Sequence, residues 1–396
     1  MPYGQDAMNC EQGYRKLISG QSSGAGARLI RTLLAVAAIG YSLVVRLRNF
    51  LYSSGWLKTH RVDAAVICVG NITVGGTGKT PLVVWLCRQI ITNSKCAILT
   101  RGYKARRASC VMPRAKEECN TQYAVRNTQT DEPAILTESC PQAKVVVNPD
   151  RVAGAAEAIG QFGAEVLIMD DGFQHRRLAR DLDIIAIDAT LPFGYGKMLP
   201  AGLLREPVTS LKRAGAVVIT RCDQISEARL SRLEEQLRSI NSEMVIAKSI
   251  HAPVSARTAE GEEIDTSLLK SKKIFAFCGI GNPDAFLNTV AALGSELVGS
   301  KVFDDHHHYT GRCLADIREL AEKTGADLVL TTQKDWTKVI SEFRSVGSAR
   351  DKLPILDIES TVPFARLAIE MRFPAGQDEL TALIRDTLAG RISTED

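Results

Sequence analysis

The sequence predicts an α/β protein built on a doubly wound, mostly parallel sheet, and three observations predict it. Short apolar runs rich in β-branched residues recur at Ala65–Val69, Cys96–Thr100, Lys144–Val147, Val166–Asp170, Ile184–Asp188 and Ala216–Ile219. Helical patterns separate several of them, as in Leu82, Leu86 and Ile90, in Arg151–Phe162 and in Ala228–Ile240. Strands alternating with helices read as βα units, which close into a parallel sheet with helices on its faces. The third observation is VICVGNITVGGTGKTPLVVWL (Val66–Leu86), where a strand runs into a glycine-rich turn and then directly into a helix.

That turn carries the first chemistry. Backbone N–H groups of a glycine turn and the positive end of the helix that follows face an anion. Gly75, Gly76, Thr77 and Gly78 form the cradle, Lys79 reaches the β/γ-phosphates, and the Thr80 hydroxyl takes Mg²⁺. The match to G-x-x-x-x-G-K-[ST] is incomplete, because Thr73 stands where the first glycine is expected; Gly75 and Gly76 supply the positive φ angles instead. The expectation is a P-loop NTPase-type sheet that binds a nucleoside triphosphate.

Length and composition bound the rest. At 396 residues the chain exceeds one ordinary core, so two domains are expected. A hydrophobic fraction of 45% and a charged fraction of 24% are those of a globular protein, and a net charge of +4 gives no ground for a nucleic-acid partner. Ten cysteines lie scattered without C-x-x-C pairs or zinc spacing, which suits a reducing cytoplasm and not a disulfide framework.

In chain order, residues 1–26 are polar, with a Gly/Ser patch, and read as a flexible extension. Residues 27–61 form a basic, apolar region. Its Thr32–Val45 stretch is uncharged, with Arg28 and Arg31 before it and Arg46 and Arg48 after. From Gln12 to Val62 there are eight Lys/Arg and no Asp or Glu. Fourteen helical residues span about 21 Å, short of the roughly 30 Å hydrocarbon core. The preferred reading is an interfacial helix whose arginines meet anionic lipid, with Phe50, Tyr52 and Trp56 at the boundary. The alternatives are a helix packed on the protein's own core, or a span extended by snorkelling arginines.

Residues 62–256 make the P-loop domain. Its second strand ends at Arg101 and a basic run (Lys104, Arg106, Arg107), suited to an acidic or phosphorylated substrate at a strand end. Asp131-Glu132-Pro133 opens a helix, with Asp131 placed as N-cap. Val166–Asp170 ends in an aspartate, the expected second nucleotide signature, and Asp171 follows it. Adjacent carboxylates are costly unless a cation neutralises them, which fits a metal site. Arg205-Glu206 sits on a Gly/Pro-rich loop able to close over phosphates. Residues 257–272 read as a linker or hairpin, 273–358 as a smaller C-terminal α/β lobe, and 359–396 as a segment returning to the first lobe. GIGNPDAF lacks the third glycine of a dinucleotide fingerprint. The triplet His306-His307-His308 is a metal site, an exposed loop, or a histidine serving the active site across the cleft.

In this order NITVGGTGKTP, RGYK, DEP, DDGFQHR, LPAGLLREP, FCGIGNP, DDHHHYT and TTQKD resemble the tetraacyldisaccharide 4′-kinases of lipid A synthesis. The resemblance runs from about Leu29 to Asp335 and beyond. It implies transfer of the ATP γ-phosphoryl group to the 4′-hydroxyl of a tetraacylated glucosamine disaccharide 1-phosphate. The enzyme would sit, peripheral or monotopic, on the cytoplasmic face of the bacterial inner membrane. The implied cofactors are ATP and Mg²⁺, and the implied partners are the lipid substrate and the membrane surface, with no nucleic acid and no obligate protein partner. The implied architecture is a kinase lobe and a smaller lobe joined by a β-ribbon, with an N-terminal membrane-associated helix. Residue by residue, Lys79 and Thr80 match the phosphate and Mg²⁺ positions. Asp170, Asp171 and Gln174 match the DDGFQ motif, Glu206 the metal-binding glutamate of LREP, and Gly202 and Arg205 the same closing loop. Asp131 matches the proton acceptor of DEP, and His306 its partner, with His307 a candidate because the triplet shifts the register. Departures are the N-terminal extension, the long insert before Asp131, and Gln333 where the family has glutamate.

Overall fold

The computed structural model describes residues 10–102, 131–259, 261–305, 307–346 and 362–392. Its strands join into one twelve-stranded sheet in two parallel halves. The first half contains β1 (Ala65–Gly70), β2 (Cys96–Thr100), β3 (Lys144–Val147), β4 (Val166–Asp170), β5 (Leu182–Asp188) and β6 (Ala216–Thr220), in the order β3-β2-β4-β1-β5-β6. β1, β4, β5 and β6 are buried along their whole length, as expected of strands covered on both faces. One face packs on α3 (Lys79–Ile90) through Leu82, Leu86 and Ile90, and on α4 (Asp131–Ser139) through Leu136. The other packs on α5 (Arg151–Phe162) and α6 (Glu227–Ile240) through Ala155, Ala158, Leu230, Leu233 and Leu237.

Two long strands carry the sheet onward. β7 (Val245–Thr258) pairs parallel with β6 at its start, then antiparallel with the short β8 (Glu263–Asp265), which leads into α7 (Thr266–Leu269). Along most of its length β7 also pairs antiparallel with a strand of residues 364–375, from Thr258↔Ala365 to Lys248↔Ala375. Fourteen extended residues reach about 46 Å, long enough to run through both halves.

The second half holds β9 (Lys273–Cys278), α8 (Pro283–Ala292), β10 (Glu296–Val302), α9 (Gly311–Lys323), β11 (Leu328–Thr332), α10 (Gln333–Val346) and that partner strand, β12 (Phe364–Ala375). The order is β10-β9-β11-β12, all parallel. After β12, α11 (Gln377–Ile392) packs Leu380 and Ile384 back onto the first half, and Arg391 donates to the Val62 carbonyl at 2.7 Å.

The antiparallel ribbon determines where a site can form. The carboxyl end of β6 points at the middle of β7, and the carboxyl end of β11 points at the middle of β12. The two parallel half-sheets therefore aim their carboxyl ends at one another, and open α/β sheets bind ligands at such ends. The stretch read as a linker or hairpin, 257–272, holds the end of β7, the antiparallel β8 that makes a hairpin with it, and α7.

The N-terminal region differs from expectation in two ways. Residues 10–18, read as part of a flexible extension, form α1 (Cys10–Ile18), with Ile18 buried and the Tyr14 hydroxyl donating to the Pro200 carbonyl at 2.8 Å. The apolar helix is also longer than its uncharged stretch: α2 runs Ala25–Ser53, about 43 Å at 1.5 Å per residue. It is the one helix among the described residues long and apolar enough to cross a membrane. Its two faces are unalike. Ala38 and Val45 are buried against the first half, and Tyr41, Arg48 and Asn49 bond to it. On the other face Leu29, Leu33, Val36, Leu43, Leu47 and Phe50 are each between 59% and 65% exposed.

Candidate active site

The carboxyl edges of both half-sheets enclose a cavity of about 1330 Å³, floored by residues at the middle of the ribbon such as His251, Val254 and Ile369. The glycine turn of residues 70–78 forms one wall. Asn71, fully buried, donates through Nδ2 to the Thr77 hydroxyl at 3.0 Å, and the Thr220 hydroxyl at the end of β6 donates to the Thr77 carbonyl at 2.9 Å. The turn is thus held from both sides. Gly78 caps α3 in the left-handed region (φ 83°), which fits its glycine, and Gly75 (φ 120°) supplies the other positive angle. Gly76 was expected to share that task but does not. The close approach of the two halves there depends on Gly281 of the second half, where a Cβ would lie 2.6 Å from the Gly76 nitrogen. Thr73, in place of the first glycine, makes an edge bridge with Leu204, and the Val74 N–H donates to the Leu203 carbonyl at 2.8 Å.

Lys79 and Thr80 open α3 and line the cavity with Gly75, Gly76, Thr77 and Gly78. Lys79 Nζ lies 3.4 Å from Asp171, to which Arg205 also donates at 2.9 and 3.0 Å. Against the upward pull of burial, those two cations hold the Asp171 carboxyl well below the usual carboxylate range. Asp170 is the opposite case. It ends β4 with 3% exposure, and the Thr100 hydroxyl lies 3.4 Å from it. Burial, with Glu132 and Asp171 nearby, pushes its carboxyl up to about 7. Arg151, itself buried, donates to the Asp170 carbonyl at 3.0 Å and fixes the end of the strand. Gln174 donates to the Asn71 carbonyl at 2.8 Å, tying the turn after Asp171 to the glycine loop.

Two expected site residues are not at the cavity. Glu206 is fully buried and accepts from Arg48 (3.3 Å), Asn49 (2.9 Å) and Arg213 (2.9 Å), so its carboxylate ties α2 to its own lobe. Arg205 and Glu206 are neighbours on a bend, and their side chains go to different partners, Asp171 for the one and Arg48, Asn49 and Arg213 for the other. Gly202 instead permits a tight turn, since a Cβ there would meet the Lys197 carbonyl oxygen at 2.3 Å. The side chain of Asp131, His306, and the basic residues Lys104, Arg106 and Arg107 lie outside the described residues. His307 is described. Its ring stacks on Phe303 at 4.4 Å, with Nε2 3.8 Å from the Cys313 sulfur, so it is occupied within the second half.

The structure adds residues that motif reading passed over. Arg221 pairs with Asp188 at the ends of β6 and β5, both buried. Asn282, from the second half, donates to the same Asp188 at 2.8 Å and to Thr190 at 3.1 Å. Lys334, at the start of α10, lines the cavity with its ammonium 3.0 Å from Asp305. Although burial opposes it, Asp305 and Glu132 raise that ammonium above its ordinary value. Burial, then Arg221, pushes His251 down to about 3; its Nε2 is covered and finds no hydrogen-bond partner. Asp188 ends β5, Arg221 follows β6 and His251 lies within β7, and only the pairing of strands brings them together.

Thr80 and Asp170 offer a hydroxyl and an unneutralised buried carboxylate, hard oxygen donors of the kind Mg²⁺ takes. Among the described residues no three His, Cys, Asp or Glu side chains converge as a metal cage.

The family model described as tetraacyldisaccharide-1-P 4′-kinase (LpxK) matches residues 30–388. The tetraacyldisaccharide 4′-kinase of Geobacter sulfurreducens is 37% identical over 333 residues, covering 84% of this chain and 91% of that protein. That of Anaeromyxobacter sp. (strain Fw109-5) is 39% identical over 297 residues, covering 73% and 77%. Among solved structures, LpxK from Aquifex aeolicus in complex with ATP superposes with a TM-score of 0.62 at 26% identity, covering 91% of this chain and 99% of that one.

Proposed function

This chain belongs to the tetraacyldisaccharide 4′-kinase family, and from that premise we propose that it transfers the γ-phosphoryl group of ATP to the 4′-hydroxyl of a tetraacylated glucosamine disaccharide 1-phosphate, the step named in lipid A synthesis. The observation that carries the reading is the paired geometry of Lys79 and Arg205 on Asp171 beside the glycine turn, at the mouth of a cavity roofed by a second half-sheet.

Phosphoryl transfer asks for positioning and charge neutralisation more than covalent work by the protein. The amides of residues 75–78 and the Lys79 ammonium would stabilise charge on the phosphate oxygens. Arrival of the phosphates gives Lys79 and Arg205 a second anion, so Asp171 acts as the holder that keeps both aimed before ATP binds. Thr80 and Asp170 would hold Mg²⁺, which supplies further neutralisation of the β- and γ-oxygens. On the acceptor side, Asp131 would take the sugar hydroxyl proton with His306 as its partner. A free aspartate, pKa about 3.9, is a weak base for an alcohol, so a partner and exclusion of water matter. In favour of His306 over His307 is the commitment of the His307 ring to Phe303 and Cys313. Lys334 and Asn282 would bring the second half's charge and hydrogen bonds to the same cavity as the halves close.

A substrate with four acyl chains stays in a bilayer, so the enzyme must meet it there. The exposed stripe of α2, about 32 Å long from Leu29 to Phe50, would seat in the lipid surface with Trp56, itself 82% exposed, at its edge. Bonding of the opposite face of α2 to the first half supports a helix that lies on the membrane surface and does not span it, and on this reading that surface is the cytoplasmic face of the inner membrane. The test of the activity is incubation with ATP labelled in the γ-phosphate, Mg²⁺ and the tetraacylated disaccharide lipid. Label on the extracted lipid is expected, and label confined to inorganic phosphate would refute the reading.

A further inference from the structure

The loop that carries Arg205 is shared by three parts of the molecule. Its Arg205 N–H donates to the Ile72 carbonyl at 2.7 Å, and Leu203 and Leu204 pair with Val74 and Thr73, so it forms the outer edge of the glycine turn. The Arg205 guanidinium holds Asp171. On its far side the same loop is bolted to the N-terminal helices. The Tyr41 hydroxyl donates to the Arg205 carbonyl at 3.0 Å, the Tyr14 hydroxyl to Pro200, and Arg48 and Asn49 to Glu206. A second tie flanks Asp171 from the other direction: Arg176 donates to the Asn49 carbonyl at 2.8 Å and to the Ser53 hydroxyl at 3.3 Å.

We infer that Glu206 is a positioning residue that couples the seating of α2 on a lipid surface to the nucleotide site, acting through its neighbour Arg205. This rests on the membrane reading above. A buried carboxylate between two guanidiniums and an amide cannot swing free without leaving buried charges unpaired. A shift of α2 therefore carries residues 205 and 206 with it, and with them the cation that aims Asp171 and Lys79. In water α2 is held from one face only. Lipid on its apolar stripe holds the other, so part of the ordering that nucleotide would impose on residues 72–74 and 203–206 is already done. Two ligands that order the same element favour one another, and the effect is reciprocal by linkage.

The experiment uses the full chain with vesicles of phosphatidylethanolamine and phosphatidylglycerol, without lipid substrate, and a non-hydrolysable ATP analogue with Mg²⁺. For the wild type, vesicles tighten analogue binding about fivefold or more, and the analogue tightens partitioning onto vesicles by the same factor. Glu206→Gln cuts the link from the loop side and Arg48→Met from the helix side. Both variants still float with the vesicles and still bind the analogue, but the mutual effect falls to near one. Circular dichroism and the retained analogue binding separate that outcome from misfolding, and Tyr41→Phe, which removes a single surface-facing bond, gives an intermediate factor. Wild-type protein that floats yet binds the analogue equally with and without vesicles overturns the inference. So do variants that keep the full factor. Wild-type protein that fails to float overturns the membrane reading itself, and the coupling falls with it.

Discussion

The two half-sheets use the same device, parallel strands ending on a shared cavity, but they furnish it differently. On the first half the groups proposed to meet phosphate are cross-linked to one another: Asn71 and Thr220 clamp Thr77, and Lys79 and Arg205 share Asp171. On the second half the corresponding polar groups, Asn282 and Lys334, stand on loops and helix starts, and of the two Lys334 lines the cavity. Asn282 reaches across to Asp188, and Lys334 leans on Asp305. On the proposed function the first half's phosphate-binding groups are organised before a ligand arrives, whereas Asn282 and Lys334 depend on alignment along the β7–β12 ribbon. Orientation gained by such alignment is a large share of what catalysis by positioning supplies.

That contrast can be broken by substitution. The largest effect is expected for Asp131→Ala, which should lower transfer to lipid about a thousandfold, the range for loss of a general base, while calorimetry finds ATP affinity nearly unchanged. Collapse of ATP binding instead would make Asp131 a structural cap of α4 and blur the division. Lys79→Met should lower kcat about a hundredfold and weaken ATP binding as well, since the ammonium serves ground state and transition state alike. A kcat loss with ATP affinity intact would mean that Lys79 stays on Asp171 until the chemical step. Asn282→Ala removes hydrogen bonds between the halves, at about 1–2 kcal/mol, so kcat/KM for the lipid should fall roughly tenfold with the ATP constant unmoved. An equal fall for both substrates would show that Asn282 braces the glycine turn.

The smallest effect concerns stability. His251 lies under the cavity with its pKa pushed from 6.5 down to about 3, so the folded state favours the neutral ring. Its contribution is fully present above pH 6.5 and is lost as pH falls from there towards 3, because the unfolded chain takes up the proton first. Denaturant titrations should show wild-type stability declining across that window, with a shallower decline in His251→Phe. Identical slopes would mean that the ring gains water on acidification without unfolding.

Much of the first half was legible because its signals are local. The apolar runs located β1 to β6 to within a residue or two, and the glycine turn announced both strand and helix. β7 was not legible. Its residues serve two environments in succession, and Pro253 interrupts the pattern, but the proline sits where the β7–β12 register shifts and no ladder bond is lost. The return of residues 359–396 to the first lobe was expected, but that β12 gets there by pairing along β7 was not legible. In the site, Lys79, Asp170 and Asp171 could be read from their neighbours in sequence, whereas Asp188, Arg221, Asn282 and His251 become a group only through strand order. Glu206 shows the converse hazard: proximity in sequence to Arg205 suggested a common target, whereas on their bend the two side chains go to different partners.

The ribbon also makes the second half an insertion within the first, since β7 departs from the nucleotide lobe and β12 with α11 returns to it. During synthesis the greasy helix α2 leaves the ribosome early, while the helix that completes the packing over β1 and β6 is made last. For most of translation the nascent chain displays an apolar helix and the open edge of β7 with nothing yet to cover that edge. Early capture of α2 by the bilayer would shield one of those two liabilities while the other waits for the final segment to emerge.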